Sequence, residues 1–116
     1  VAPQMKFDKA ELKVKAGAGV ELAFTNNDPM PMMHNLVLVK PGSRIEIVTA
    51  AATMGAAGMA NSFVPESDKV LAATPLVLTG NTYKLYFKAP TTPGKYEYIC
   101  TYPGHGLTMW GTLVVE

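Results

Sequence analysis

Towards its C-terminus the chain reads Cys100-Thr-Tyr-Pro-Gly-His105-Gly-Leu-Thr-Met109, so that a thiol, an imidazole and a thioether fall in one short loop. The Pro103-Gly104 turn returns the histidine and the methionine toward the cysteine. Soft sulfur suits Cu(I) and imidazole nitrogen suits Cu(II), so a mixed sulfur and nitrogen set serves a metal that cycles between the two states. One more imidazole would complete a trigonal plane, and the only other histidine in the chain is His34. The expected metal ligands are therefore His34, Cys100 and His105, with Met109 as a weak fourth, and the expected cofactor is one copper ion. This set uses both histidines and the single cysteine. Zinc competes, but a structural zinc site takes four strong ligands, and a thioether is a poor one. Zinc would need a carboxylate that the pattern does not identify.

Each of these residues also has a plainer reading. A lone cysteine is commonly a small buried hydrophobe, and a cysteine with a histidine can act as nucleophile and base. Against the catalytic reading, Cys100 ends an apolar strand, with no helix start and no oxyanion donors signalled nearby. His34 could be an ordinary surface or core histidine, and Met109 beside Trp110 could be core packing. The cluster Met30, Met32 and Met33 suits core filling, Cu(I) binding or an adaptable contact surface. Tyr96 and Tyr98 read as sheet residues with no redox role.

The elements that must position these side chains show period-two alternation. It runs through Leu12 and Val14, Val20 to Phe24, Leu36 and Leu38, Tyr83 to Phe87, and Tyr96 to Cys100, with a β-branched run at 111–116. Turn signals separate the runs at 16–19, at Asn26-Asn27-Asp28-Pro29, and at Pro41-Gly42, Gly80-Asn81 and Pro93-Gly94. The expectation is an all-β Greek-key sandwich of about seven or eight strands. A short helical insertion is expected around residues 43–62, where Ile45, Val48 and Ala52 suit helix. No repeat, linker or second domain is signalled, so residues 1–116 read as one domain.

With these residues in view, the chain resembles the cupredoxins, the type 1 blue-copper proteins, and among them the azurins and auracyanins. The resemblance rests on the Cys-x-x-x-x-His-x-x-x-Met spacing, the Pro-Gly-His turn, the following Gly111-Thr-Leu-Val strand and the segment Met33-His34-Asn35. The stretch from Gly58 through Phe63, Pro65 and Asp68 to Val70 is similar to the helical insertion of azurins. The resemblance implies that His34 and His105 bind through nitrogen, Cys100 through thiolate, and Met109 as a long axial ligand. It implies that Asn35 gives its backbone amide to the cysteine sulfur and ties its side chain to the ligand loop near Thr101. The amide of Tyr102 would be a second donor to the sulfur. Two departures stand out: Met33 replaces the glycine that azurins carry before the first histidine, and one cysteine cannot form the azurin disulfide.

Function follows as an expectation: a mononuclear carrier of single electrons, not an enzyme. Its partners would be redox proteins such as cytochromes, docking through an apolar patch around an exposed edge of His105 made by Pro103, Gly106, Leu107 and the methionines. A copper(I) carrier, or a module cut from a larger redox enzyme, is the alternative. Net charge is +1 with no basic stripe, which argues against nucleic acid. The uncharged stretch from Ile47 to Pro65 is broken by Gly55, Gly58 and Asn61, unlike a membrane span. The protein is expected to be a monomer, periplasmic or otherwise outside the cytoplasm, any signal segment being removed or lying outside the given sequence, with a lipid or membrane anchor ahead of Val1 left open.

Overall fold

Alternation gives each strand one apolar side, and two such sides must meet to leave water. In the computed structural model, which describes residues 6–116, this is done by two sheets. Strand β1 is Glu11–Val14, β2 Gly19–Thr25 and β3 Val37–Val39; helices α1 (Arg44–Ala52) and α2 (Ala56–Ala60) follow. Then come β4 (Val70–Ala73), β5 (Thr82–Lys88), β6 (Gly94–Ile99) and β7 (Trp110–Val115). One sheet has the order β1-β7-β6-β3-β4, and β2 pairs with β5 to form the other. Only β1 and β7 run parallel; the other described pairs are antiparallel. Phe24 and Leu85 of the small sheet pack against Leu38, Tyr96, Tyr98 and Leu113 of the large one, and Cys100 and Met109 belong to the same buried cluster.

The outer face of the large sheet is closed by α1. Ile47 is 1% exposed and packs with Val37, Val39 and Ile99. Strand β3 is thus apolar on both faces, which is why Leu36-Val37-Leu38-Val39 is a continuous run and not an alternation. The expected insertion at 43–62 is present as α1 and α2. The segment from Val70 departs from the expectation: it leaves the insertion and pairs with β3 as β4, a strand that no alternation announced. In β5 the inward face is carried by Leu85 and, in part, Phe87, while Tyr83 is exposed.

The insertion ends in an unusual turn. Ser62 and Phe63 both have positive φ, 55° and 54°, a region that side chains with a Cβ rarely occupy. The Phe63 ring lies so close over Gly58 that a Cβ there would stand 2.1 Å from a ring carbon. Glycine at 58 is thus what lets the ring fold back and hold the turn.

Candidate metal centre

Two loops meet at one end of the sandwich. His34 lies on the loop from β2 to β3 and is fixed by a two-way bridge: its N–H donates to Val77 O (3.2 Å), and Val77 N–H donates to His34 O (2.7 Å). The loop after β6 is closed on itself. Cys100 N–H donates to Met109 O (3.0 Å), His105 N–H to Tyr102 O (3.0 Å) and Met109 N–H to His105 O (2.8 Å). Cys100 Sγ thereby stands 3.8 Å from His34 Nδ1 and 3.6 Å from His105 Nδ1, and the two nitrogens are 3.2 Å apart.

Those edges fit one ion. Bonds of about 2.0 Å to nitrogen and about 2.3 Å to sulfur, spread at 120°, give edges of roughly 3.5 and 3.7 Å. Among the described residues, these three are the group of His, Cys, Asp or Glu side chains close enough to share a metal. No carboxylate joins them, so the fourth strong ligand that zinc would need is missing. Met109, 0% exposed and in the same cluster as Cys100, brings a thioether to this end of the core. That donor set favours copper.

Electrostatics points the same way. Burial pushes the Cys100 thiol up to about 11, against the backbone N–H groups of Asn35 and Tyr102, which favour the thiolate. A nucleophile needs a lowered pKa and access; Cys100 has neither, with 0% exposure. A cation in the cage would supply the missing stabilisation. His105 is held below the usual imidazole range, first by burial and then by the neighbouring His34, which favours the neutral ring that a metal would need.

The expected brace is present. Asn35 Nδ2 donates to Thr101 Oγ1 (2.8 Å) and to Ser62 O (2.8 Å), and Thr101 N–H donates to Asn35 Oδ1 (2.8 Å). Thr101 Oγ1 in turn donates to Phe63 O (2.6 Å). The positive-φ turn thus offers two carbonyls to the residues beside His34 and Cys100. On the other flank, Arg44 at the start of α1 donates to Gly106 O (3.0 Å), and its guanidinium lies 4.5 Å from the centroid of the Trp110 ring. Glu97 Oε2 sits 3.6 Å from Arg44 Nε.

Two features differ from the expectation. His105 does not offer an open edge: it is 4% exposed, and the Tyr102 ring packs on it with centroids 4.9 Å apart. Gly106 is buried, because the loop there presses on α1; a Cβ at 106 would stand 2.4 Å from Val48 Cγ2. Leu107 and Met30 are the strongly exposed apolar side chains of the two segments, at 66% and 61%. Sequence reasoning also missed Asp28, read only as part of a turn. It is 3% exposed, and its Oδ2 lies 2.8 Å from His34 Nε2. That hydrogen bond and one from Met30 N–H hold the Asp28 carboxyl below its ordinary range, against the opposing effect of burial. No sequence signal separates such an aspartate from an ordinary turn residue.

Comparison with known proteins agrees with this geometry. The sequence profile of copper binding proteins, plastocyanin/azurin family, matches residues 2–116. The chain is 39% identical to auracyanin-A of Chloroflexus aurantiacus over 97% of its own length and 68% of that protein's. It is 38% identical to auracyanin-B of the same organism, of which it spans 47%. Azurin iso-2 of Methylomonas sp. is 34% identical, with 97% and 90% covered. Among solved structures, that of auracyanin A, described as a "blue" copper protein, superimposes with a TM-score of 0.86 at 38% identity, covering 97% of this chain and 89% of the other.

Proposed function

Since the chain belongs to the plastocyanin/azurin family of copper-binding proteins, we propose that His34, Cys100 and His105 would hold one copper ion, with the Met109 thioether as a weaker fourth donor. The protein is a blue-copper electron-transfer protein. When bound, the ion supplies a one-electron Cu(II)/Cu(I) couple. The chain's own residues supply rigidity. The bridge to Val77 fixes His34, the Asn35–Thr101 bonds fix the backbone on either side of the donors, and the Cys100–Met109 bond closes the loop. Donors that do not move between oxidation states keep rearrangement small, which is what fast electron transfer requires. The observation that carries the reading is the convergence of one thiol and two Nδ1 atoms in a buried, pre-formed triangle.

The test is an optical spectrum of the oxidised, copper-loaded protein, which should show intense visible charge-transfer absorption that disappears on reduction and returns on reoxidation. A colourless copper complex would sink the reading. A copper(I) carrier should give its ion up to a competing chelator. Burial of all three donors supports retention instead. As an electron carrier, not an enzyme, the protein would act as a single domain and a monomer outside the cytoplasm, as its azurin-like character implies. Redox proteins such as cytochromes would dock where Tyr102 covers His105, flanked by exposed Leu107 and Met30. Among the described residues no helix is long and apolar enough to cross a membrane.

A further inference from the structure

Asp28 is the buried carboxylate among the described residues, and it faces the ring nitrogen of His34 turned away from the donor triangle. We propose that Asp28 is a positioning residue of the metal centre: it fixes the proton of His34 on Nε2, presents Nδ1 to the ion, and adds a negative charge that favours the oxidised state. This rests on the copper reading above.

A carboxylate only accepts, so at 2.8 Å from Oδ2 the His34 Nε2 carries the proton. Neutral imidazole has one N–H, so Nδ1 is left with its lone pair, and Nδ1 is the atom that meets Cys100 Sγ and His105 Nδ1. Asp28 is itself held in place. Its Oδ1 accepts from Met30 N–H (2.9 Å), its own N–H donates to Asn26 Oδ1 (3.1 Å), and Asn26 Nδ2 donates to Met32 O and Val77 O, both at 2.8 Å. Val77 is also the bridge partner of His34, so ligand and carboxylate share one rigid frame.

Turn formation alone does not account for an acid here. The turn uses Oδ1, a role that asparagine fills equally well; the second oxygen is committed to the imidazole. Burying a carboxylate costs free energy that a neutral imidazole does not return in full. A cation on the far side of the ring does return it. With a thiolate and a carboxylate both present, the centre is neutral overall with Cu(II) and net negative with Cu(I). Removing the carboxylate leaves the oxidised centre net positive, so the reduced form gains relative to it. Partners behind a ligating histidine orient the ring and raise its basicity, and their loss typically costs about 10- to 100-fold in metal affinity.

The experiment compares wild type, Asp28→Asn and Asp28→Ala by optical spectrum, reduction potential and copper loss to a chelator. Asp28→Asn keeps the turn and loses the charge. It should stay blue, with its potential raised by at least the equivalent of a tenfold change in relative affinity, about 59 mV for one electron. Asp28→Ala should also show a raised potential and release copper at least tenfold more readily. A potential unchanged or lowered in Asp28→Asn overturns the proposal, since a purely structural aspartate would affect stability and not the couple. Should the variants fail to fold, the reduced wild-type protein decides: nitrogen–proton spectra should place the His34 ring proton on Nε2, and finding it on Nδ1 overturns the assignment. A wild-type protein without the visible band removes the copper reading itself, a result separate from a blue protein whose potential ignores Asp28.

Discussion

Cys100 is buried with a thiol that titrates near 11 in the metal-free protein, so at neutral pH it holds its proton until a metal displaces it. His105, held below the usual imidazole range, has no proton to give up there. Copper uptake at neutral pH should therefore release one proton from Cys100, and affinity should rise about tenfold per pH unit until the thiol titrates. Calorimetric titration in two buffers of different ionisation enthalpy measures the proton count; release of none would exclude thiolate ligation. Cys100→Ser should keep the fold by circular dichroism and lose the intense visible band altogether. Met109→Leu conserves volume and should cost less than about 1.5 kcal/mol, keep copper, and change the reduction potential through loss of the thioether. A potential equal to wild type would make Met109 a core residue only. At this scale the sequence was informative because the spacing from Cys100 to Met109 confines three donors to one tight loop. Asp28 escaped because its partner, His34, is chosen by how Asn26 and Val77 frame the loop.

The insertion clamps the site from two ends: Arg44 and Val48 of α1 press on Gly106, and the Ser62–Phe63 turn carries Asn35 and Thr101. Gly106→Ala would put its methyl carbon 2.4 Å from Val48 Cγ2 and 3.0 Å from Cys100 O. Overpacking of this kind costs about 1–3 kcal/mol. Adding Val48→Ala should recover part of that loss, a coupling that denaturation of the single and double variants measures. Strict additivity would show that loop and helix do not press on one another. The place of this helix in the sequence was visible in Ile45, Val48 and Ala52, whereas the docking was not, because it depends on which face of the sheet the helix covers. The same cover explains why β3 lacks alternation. Strand β4 went unread because Val70-Leu71-Ala72-Ala73 is too short and too small in side chain to stand apart from the segment before it.

Across the molecule, the segments that carry the ligands are almost without charge: there is no acid, lysine or arginine in 29–39 or in 100–115. The fold brings Arg44 against the ligand loop, and Glu97 lies beside it. Steering needs an unbalanced patch, so electron self-exchange should change little as salt shortens the Debye length from about 10 Å toward 3 Å. Leu107→Lys should slow it by placing like charges in the contact. A steep salt dependence in the wild type would move docking to another face. The ligands also divide unevenly along the chain: Cys100 and His105 are 5 residues apart, and His34 is 66 from Cys100. Keeping His34 joined to Cys100 in an unfolded chain would close a loop of that length, at an entropic cost of about 4 kcal/mol by the relation used for disulfides. By the same relation the span of 5 residues from Cys100 to His105 costs about 2 kcal/mol, half as much. Chain entropy should therefore favour parting of His34 from the site before Cys100, His105 and Met109 part from one another.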